Sequence, residues 1–398
     1  MIGTAPDGDT ARPGDVARSE DAIRHAGSGR PADADQQPDT ARSSGIRLPD
    51  GAAAARFTSL PDLASRELGG SVVFANDELF AEKENLIKPE APVFAAGDFG
   101  HKGKVYDGWE TRRRREPGHD YAIVRLGASG IVHGVVVDTA HFRGNYPPQV
   151  SVEATAAVGY PDPAELAELP WHTLVERTSA QGDSANHYAV TDRRRWTHVR
   201  LSIYPDGGVA RFRVHGQVVP DPGFMTGTID LAAMENGGRL VGCSDAFYSS
   251  AAHLILPGRP RVMSDGWENA RRRGPGNDYA IFRLAAAGRL QHVEVDTTYF
   301  VGNAPGWIRL SAAYERGPDP DGGSQAGPAG DLTWWEVLPE TRVQPDTRHR
   351  FRIDSPPAAM YVRLDVIPDG GLARLRVYGQ VVADALAGLH RRWRETAP

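Results

Sequence analysis

The sequence predicts an all-β protein made of two tandem antiparallel β-sandwiches of the jelly-roll type, and three observations support this. A 20-residue segment, 107–126, returns as 265–284 with 15 identical positions, so one folding unit occurs twice. Around both copies, short stretches alternate apolar and polar residues, which is typical of strands with one buried face. The 30 prolines and 44 glycines are scattered among these stretches, as expected of turns that join strands.

Composition narrows the class of protein further. The length of 398 residues suits two or three domains, and the 40% of hydrophobic residues is normal for a globular chain. The net charge of −6 argues against nucleic acid as a partner. No apolar run approaches the roughly 18 residues of a membrane helix, and the N-terminal residues lack a signal-peptide pattern. Cys243 is the only cysteine, so no disulfide framework exists and a cytoplasmic location is expected.

The chain divides into a tail and two repeats. Residues 1–47 contain no Leu, Phe, Tyr or Trp. Such a segment buries too little apolar surface to offset its ordering entropy, so residues 1–50 are predicted to be a disordered tail. The first sandwich is predicted over residues 57–220 and the second over 229–385, with a linker rich in Pro and Gly between them.

Within each repeat, the clearest strand follows the repeated segment. Residues 132–139 match 290–297, and apolar side chains recur there at every second position. Each repeat then ends in two alternating runs around a Pro-Asp-Gly-Gly segment, 205–208 in the first and 368–371 in the second. Asp-Gly between alternating apolar runs predicts a β-hairpin.

The repeated segment also carries groups that suit an anion. Arginine runs occupy 112–115 in the first copy and 271–273 in the second. A guanidinium group can hold a carboxylate through two parallel hydrogen bonds. The alternative is a solvated surface in which the arginines pair with acids such as Glu110. If the run lies on a strand, only alternate arginines reach one pocket, and Arg113 and Arg115 are the candidates.

Differences between the copies point to the first repeat. Three polar residues are replaced in the second copy: His119 by Asn277, His141 by Tyr299 and Arg143 by Val301. Histidine transfers protons near neutral pH, so the first repeat is the better candidate for a catalytic site. The alternative for both histidines is a structural role.

The remaining singled-out residues have competing interpretations. Trp109 and Trp267 are interpreted as packing residues. Asp120 follows a Pro-Gly turn and could cap it or orient an arginine, and Asp138 ends a strand and could face a pocket or bond the next loop. Metal-ligand spacing is weak around Asp138 and His141, so no metal ligand or cofactor is assigned, and a divalent metal stays an open alternative.

Several motifs occur in the same order in both repeats, namely DGWETRRRR…GHDYAIVRLG with VDTAHFRGNYP, and DGWENARRR…GNDYAIFRL with VDTTYFVGNAP. With these motifs, residues 60–384 resemble the allantoicase (allantoate amidinohydrolase) family. The resemblance implies two jelly-roll modules of the galactose-binding-like, discoidin-related type and a homo-oligomer. It also implies a hydrolase for linear amidines that converts allantoate, a small molecule, to ureidoglycolate and urea in allantoin and purine degradation.

That reaction suggests roles for the candidate residues. The predicted catalytic residues are His119, His141, Glu110 and Asp138, and the predicted substrate-binding residues are Arg113, Arg115, Arg143, Asn145 and Asp120. Arginines would hold the substrate carboxylate, the two catalytic acids would orient ureido N–H groups, and a histidine would transfer the proton. Arg143 and Asn145 would hydrogen-bond a ureido carbonyl.

A non-catalytic protein is the alternative function. Tandem jelly rolls also serve as ligand- or carbohydrate-binding modules, and a fold alone does not decide between these classes. Such modules usually present aromatic loops, whereas the duplicated loops here are rich in Arg, Asp, Glu and His. The hydrolase is therefore favoured.

Overall fold

The computed structural model describes residues 57–94, 97, 99–100, 103–314, 332–354 and 356–398. The predicted disordered tail, 1–50, lies outside these residues. Within the described part of the chain, no helix is long and apolar enough to cross a membrane.

Short strands dominate both repeats. The first repeat has β1 (Ser71–Ala75), β2 (Phe99–Gly100), β3 (Gly103–Lys104), β4 (Trp109–Glu110), β5 (Asp120–Asp138), β6 (Gln149–Thr155), β7 (His172–Ser179), β8 (Ala185–Ala189), β9 (Arg195–Tyr204), β10 (Gly208–Val209) and β11 (Arg211–Val218). The second has β12 (Ile229–Asp230), β13 (Arg239–Cys243), β14 (Asp278–Asp296), β15 (Trp307–Ala313), β16 (Trp334–Arg342), β17 (Arg348–Arg352), β18 (Ala359–Ile367) and β19 (Arg374–Val381). The α-helices are α1 (Pro163–Ala167) and α2 (Ala383–Glu395), and the 3₁₀ helices are Arg66–Leu68, Lys83–Ile87, Pro222–Phe224, Met234–Asn236, Ala251–Ile255 and Met263–Asp265.

The long strand β5 connects the two sheets of the first sandwich. Its first part, 120–125, pairs with β1 and β9, and β9 continues through β6 to β7. Its second part, 130–138, pairs with β8 and β11. A side chain on Gly127 or Gly130 would place Cβ 2.4 Å from a carbonyl oxygen, so glycine permits the close backbone approach where the strand passes between sheets.

The second repeat follows the same plan. The first part of β14 pairs with β13 and β18, and β18 continues through β15 to β16. Its second part pairs with β17 and β19, and β12 lies beside β19. The predicted all-β class with two tandem antiparallel sandwiches is confirmed.

Alternation along the strands places the core between the sheets of each sandwich. On β9, Val199, Leu201 and Ile203 are fully buried and point into the core, whereas Arg200 between them lies on the opposite face and is only half-buried. Trp109 and Trp267 are also fully buried, and each indole Nε1 donates to a backbone carbonyl in its own repeat. Their predicted packing role is confirmed.

The predicted hairpins at the Pro-Asp-Gly-Gly segments are wrong. β9 pairs with β5 and β6 in one sheet, whereas β11 pairs with the second part of β5 in the other. The 205–208 turn therefore carries the chain between sheets. Asp206 accepts a hydrogen bond from the Arg114 amide at 2.7 Å, and the Gly207 carbonyl accepts one from the Thr111 amide at 3.1 Å. The Asp-Gly signal is local, so it cannot show that residues far away in the chain, such as Thr111 and Arg114, hold the turn in this position.

The helix α2 was not predicted, because the second repeat was expected to end at residue 385. Leu386, Leu389 and Trp393 recur at intervals of three and four residues, which is a helical period. The Trp393 ring lies 3.4 Å from the Arg195 guanidinium, and Arg392 donates to Gln217 at 3.2 Å. Helix α2 thus extends from the second repeat and contacts β9 and β11 of the first.

Candidate active site

Three loops of the first repeat meet at one end of its sandwich. Because β9 runs antiparallel to both β5 and β6, the start of β5, the start of β6 and the end of β9 lie at the same edge. We call the connections at this edge, 105–119, 139–148 and 205–208, the loop end of the first repeat. Most of the predicted site residues belong to it.

A cavity of about 460 Å³ opens at this end. It lies on the outer face of the sheet formed by β1, the first part of β5, β9, β6 and β7. Its lining residues are His119, Tyr121, Ser151, Glu153, Thr173, Glu176, Arg177, Arg200 and Tyr204. The volume falls within the ~300–1,000 Å³ of small-molecule sites. Acids, arginines, hydroxyls and one imidazole all face this cavity, which suits a polar anionic ligand.

Arg200 and Arg177 supply the positive charge. Arg200 donates to Glu153 through Nε at 2.9 Å and Nη2 at 2.7 Å, and its guanidinium lies 4.5 Å from the Trp171 ring. Arg177 is less constrained, because it donates through Nε to Gln149 at 2.8 Å and stacks on Tyr204. The hydrogen bond of Arg177 to Gln149 uses Nε, which leaves its two Nη groups for other acceptors. Arg177 can therefore offer two parallel N–H groups to a carboxylate.

His119 faces the same cavity. Its half-buried ring lies 4.7 Å from the Tyr204 ring, centre to centre. Burial lowers the pKa of His119, and the nearby Arg200 and Arg114 guanidinium groups lower it further. Its imidazole is therefore neutral near pH 7 and able to accept a proton.

Glu110 and Asn145 form a second polar group at the loop end. The Asn145 amide donates to Glu110 Oε1 at 2.7 Å. Burial raises the pKa of the Glu110 carboxyl, and the bond from Asn145 only partly offsets that effect. The Asn145 carbonyl also accepts from the Gly208 amide at 2.7 Å, which ties this pair to the 205–208 turn.

His141 and Arg143 are held by contacts of their own. The His141 ring stacks on Phe94 at 5.4 Å, and its Nε2 lies 3.3 Å from the Pro92 carbonyl oxygen. Asp183 accepts from the His141 amide at 2.8 Å and from Arg143 Nε at 3.0 Å. Asp138 accepts from the Ala140 amide at 2.9 Å.

The arginine run forms no strand beyond Glu110. Arg112 pairs with Asp77, and Arg114 lies 3.4 Å from Asp120. Arg113 and Arg115 are exposed and do not line the cavity. Asp120 is only 2% exposed, and its Oδ1 also accepts from Asn76 at 3.1 Å, so its carboxylate holds the start of β5 against neighbouring loops.

The second repeat fills the corresponding place with an ion-pair cluster. Ser151 on β6 and Arg309 on β15 occupy equivalent positions in the two repeats. The register shows this, because the residues opposite them on β9 and β18 are also equivalent. Arg309, Arg363 and Asn277 all contact the buried Asp365. The polar cavity beside β5 is therefore a feature of the first repeat.

A metal centre is not evident in the part of the chain that the structure describes, since no three His, Cys, Asp or Glu side chains converge there.

Sequence reasoning missed Arg177, Arg200 and Glu153. They lie on three different strands, and only the pairing of β9 with β6 brings Arg200 to Glu153. The one available signal was outward-facing charge on alternating strands, which is common on surfaces.

Comparison with known proteins identifies the family. The allantoicase repeat family matches residues 61–219 and 229–382. The probable allantoicase of Nocardia farcinica is 52% identical over 329 residues, which cover 82% of this chain and 95% of that protein. The probable allantoicase of Streptomyces coelicolor is 48% identical over 353 residues, covering 85% and 90%. The crystal structure of allantoicase from Saccharomyces cerevisiae is similar with a TM-score of 0.68 and 35% identity, covering 84% of this chain and 99% of that one. The chain belongs to the allantoicase family.

Proposed function

We propose that the chain is a hydrolase that converts allantoate and water to ureidoglycolate and urea, a step in the degradation of allantoin and purines. Family membership over both repeats carries this proposal. The test is to incubate the purified protein with allantoate and measure both products. Equimolar urea and ureidoglycolate are expected. No release, with or without added divalent metal, would instead favour a binding module.

The reaction defines what the site must do. Allantoate carries a carboxylate and two ureido groups on one carbon. Water must lose a proton as its oxygen bonds to that carbon, and the departing ureido nitrogen must gain one as its bond to carbon breaks. The site therefore needs a carboxylate-binding group and a base that can pass the proton on.

We place these roles in the cavity of the first repeat. Arg177 binds the substrate carboxylate through its two Nη groups. His119 takes the proton from water and delivers it to the leaving nitrogen, so one imidazole completes the transfer. Arg200 is positioned by Glu153, and burial together with this guanidinium group lowers the pKa of His119, which favours the neutral imidazole. The arrangement is supported by the shared cavity and by the Nη groups of Arg177, which its bond to Gln149 leaves for other acceptors.

The other predicted residues take supporting roles in this proposal. Glu110 and Asn145 act as one hydrogen-bonded pair that orients ureido groups at the loop end. His141 and Arg143 shape the neighbouring loop through Asp183. Arg113 and Arg115 remain the alternative carboxylate ligands, since exposed arginines can turn toward a bound anion.

Assembly and location follow the family resemblance. We propose a homo-oligomer, and exposed aromatic side chains such as Phe224 and Phe247, 80% and 70% exposed, support a contact with another copy. Light scattering in solution tests this. Cys243 is free, which fits the reducing cytoplasm.

The pH dependence of turnover should report on His119. Because burial and the two arginines lower the pKa of His119, its neutral form persists below the usual value of about 6.5. We expect kcat/KM to fall as pH drops through that lowered pKa, so the midpoint of this acid limb should lie below about 6.5. A pH–rate profile measures this limb. A limb that stays in place after His119 is replaced would assign it to another group.

Arg177 should govern substrate affinity. Replacing Arg177 by glutamine removes a charge-assisted bond, and we expect kcat/KM to fall about 10- to 100-fold, mostly through KM. Arg115→Gln is the matched control, because that arginine is exposed outside the cavity. The reverse result, a loss only with Arg115→Gln, would return the carboxylate to the arginine run.

A further inference from the structure

Equivalent buried arginines occupy the last strand of each repeat. Arg211 lies opposite Asp138 on β11, and Arg374 lies opposite Asp296 on β19. Only 1% of Arg211 and 6% of Arg374 are exposed. A buried guanidinium is costly unless an anion and hydrogen-bond acceptors surround it.

In the first repeat, a carboxylate meets this need. Arg211 Nη2 donates to Asp107 Oδ2 at 2.7 Å, Nη1 donates to the Asp107 carbonyl at 2.9 Å, and Nε donates to the Glu90 carbonyl at 2.9 Å. Asp107 thus supplies both an acceptor and a compensating charge.

In the second repeat, the equivalent carboxylate is turned elsewhere. Asp265 corresponds to Asp107, but its Oδ2 accepts from the amide of Arg261 at 2.8 Å and from Nε of Arg261 at 3.0 Å. Arg374 retains carbonyl acceptors for Nη1, namely those of Asp265 at 2.6 Å and Ala373 at 2.7 Å. Its Nε is buried and has no partner among the described residues.

A cavity of about 290 Å³ lies beside this unpartnered group. Arg376, Arg348, Arg259 and Tyr378 also line it. Arg376 is 8% exposed, and its Nη1 likewise has no partner within the described part of the chain. Both arginines line this cavity. The Nε of Arg376 pairs with Asp230 Oδ2 at 3.6 Å, but each arginine keeps one buried N–H group without a partner among the described residues.

The acids around the cavity do not supply the missing acceptor. Glu294 is already paired with Arg348 and Arg350, and Asp296 accepts from the Thr298 amide at 2.8 Å. Burial raises the pKa of Asp230 and of Glu235, which disfavours their charged forms. Burial and the adjacent Arg376 also lower the pKa of Arg374, as expected for a cation that lacks a partner.

We propose that this cavity of the second repeat binds a small carboxylate, which supplies the acceptors that the Glu90 carbonyl and the Asp107 carboxylate supply to Arg211 in the first repeat. The first repeat shows the chemistry that fits, because there a carboxylate accepts from the equivalent arginine. Arg374 Nε and Arg376 Nη1 supply the donors, and Arg261 keeps the site open by holding Asp265 away from it.

The test uses sodium acetate as the probe and the melting temperature of the full chain as the readout. Acetate is exchanged for chloride at constant ionic strength. We expect a saturable rise of about 1–3 °C at about five times Kd. Arg374→Gln should abolish the rise, whereas Arg289→Gln, which changes an exposed arginine elsewhere on β14, should retain it.

A second variant keeps the proposal testable if Arg374→Gln does not fold. Arg261 is 63% exposed in its side chain, so Arg261→Gln should fold. This substitution frees Asp265 to pair with Arg374, as Asp107 pairs with Arg211. The effect of acetate should then disappear, while urea release from allantoate is unchanged. A rise of wild-type size in Arg261→Gln, or in a folded Arg374→Gln, would overturn the proposal. No rise in the wild type would do so as well.

Discussion

Replacing His119 by asparagine, the residue of the second repeat, is expected to lower kcat on allantoate by about 10²- to 10⁴-fold. The physical reason is that the neutral imidazole in the first-repeat cavity is the group proposed to carry a proton from water to the leaving nitrogen. Asparagine retains much of the volume but cannot take up a proton near neutral pH. The melting temperature should change little, since the ring is only half-buried.

The matched control for this experiment is His187→Asn. His187 is an exposed histidine on β8, outside the cavity, and its Nδ1 lies 3.0 Å from the Ala185 carbonyl oxygen. Its replacement should leave kcat at the wild-type value. If His119→Asn also turns over at the wild-type rate, His119 is not the proton carrier, and His141→Asn becomes the next variant to measure.

Replacing Trp109 by alanine is expected to lower the free energy of unfolding by about 3–5 kcal/mol. The indole is fully buried between the sheets of the first sandwich, so truncation leaves a cavity. Truncation also removes the 2.7 Å hydrogen bond from Nε1 to the Asp77 carbonyl. Urea denaturation, followed by tryptophan fluorescence and circular dichroism, measures the loss.

Trp307→Ala provides the comparison in the second repeat. Trp307 is 42% exposed on β15, so its truncation should cost less than about 1 kcal/mol. Equal losses for the two variants would contradict the assignment of Trp109 to the core.

The fold could be predicted because its signals are local and occur twice. Apolar residues at every second position identify strands such as β9 without knowledge of their partners. The duplicated segment, 107–126 and 265–284, shows that one arrangement serves both halves. The hairpin prediction was wrong because strand pairing is not a local property. An Asp-Gly turn has the same sequence whether the two strands that flank it pair in one sheet or lie in different sheets.

The candidate site could be predicted only in part. The loops that carry Glu110 and Asn145 were recognised as chemically rich, but their 2.7 Å contact depends on how the 205–208 turn is held. Arg113 and Arg115 were chosen from a strand pattern that ends at Glu110, so alternation did not apply to them.

The amino-acid pattern alone was enough to establish the strands, the two repeats and the family, because periodicity, duplication and ordered motifs are properties of a linear chain. It also singled out His119, since only the first copy has it. The companions of His119 were decided by the tertiary structure. Arg177 lies on β7 and Arg200 on β9, and strand pairing brings them to one cavity. The tertiary structure also separates Arg211 from Arg374. Arg211 pairs with Asp107, whereas the equivalent acid beside Arg374, Asp265, is bound by Arg261.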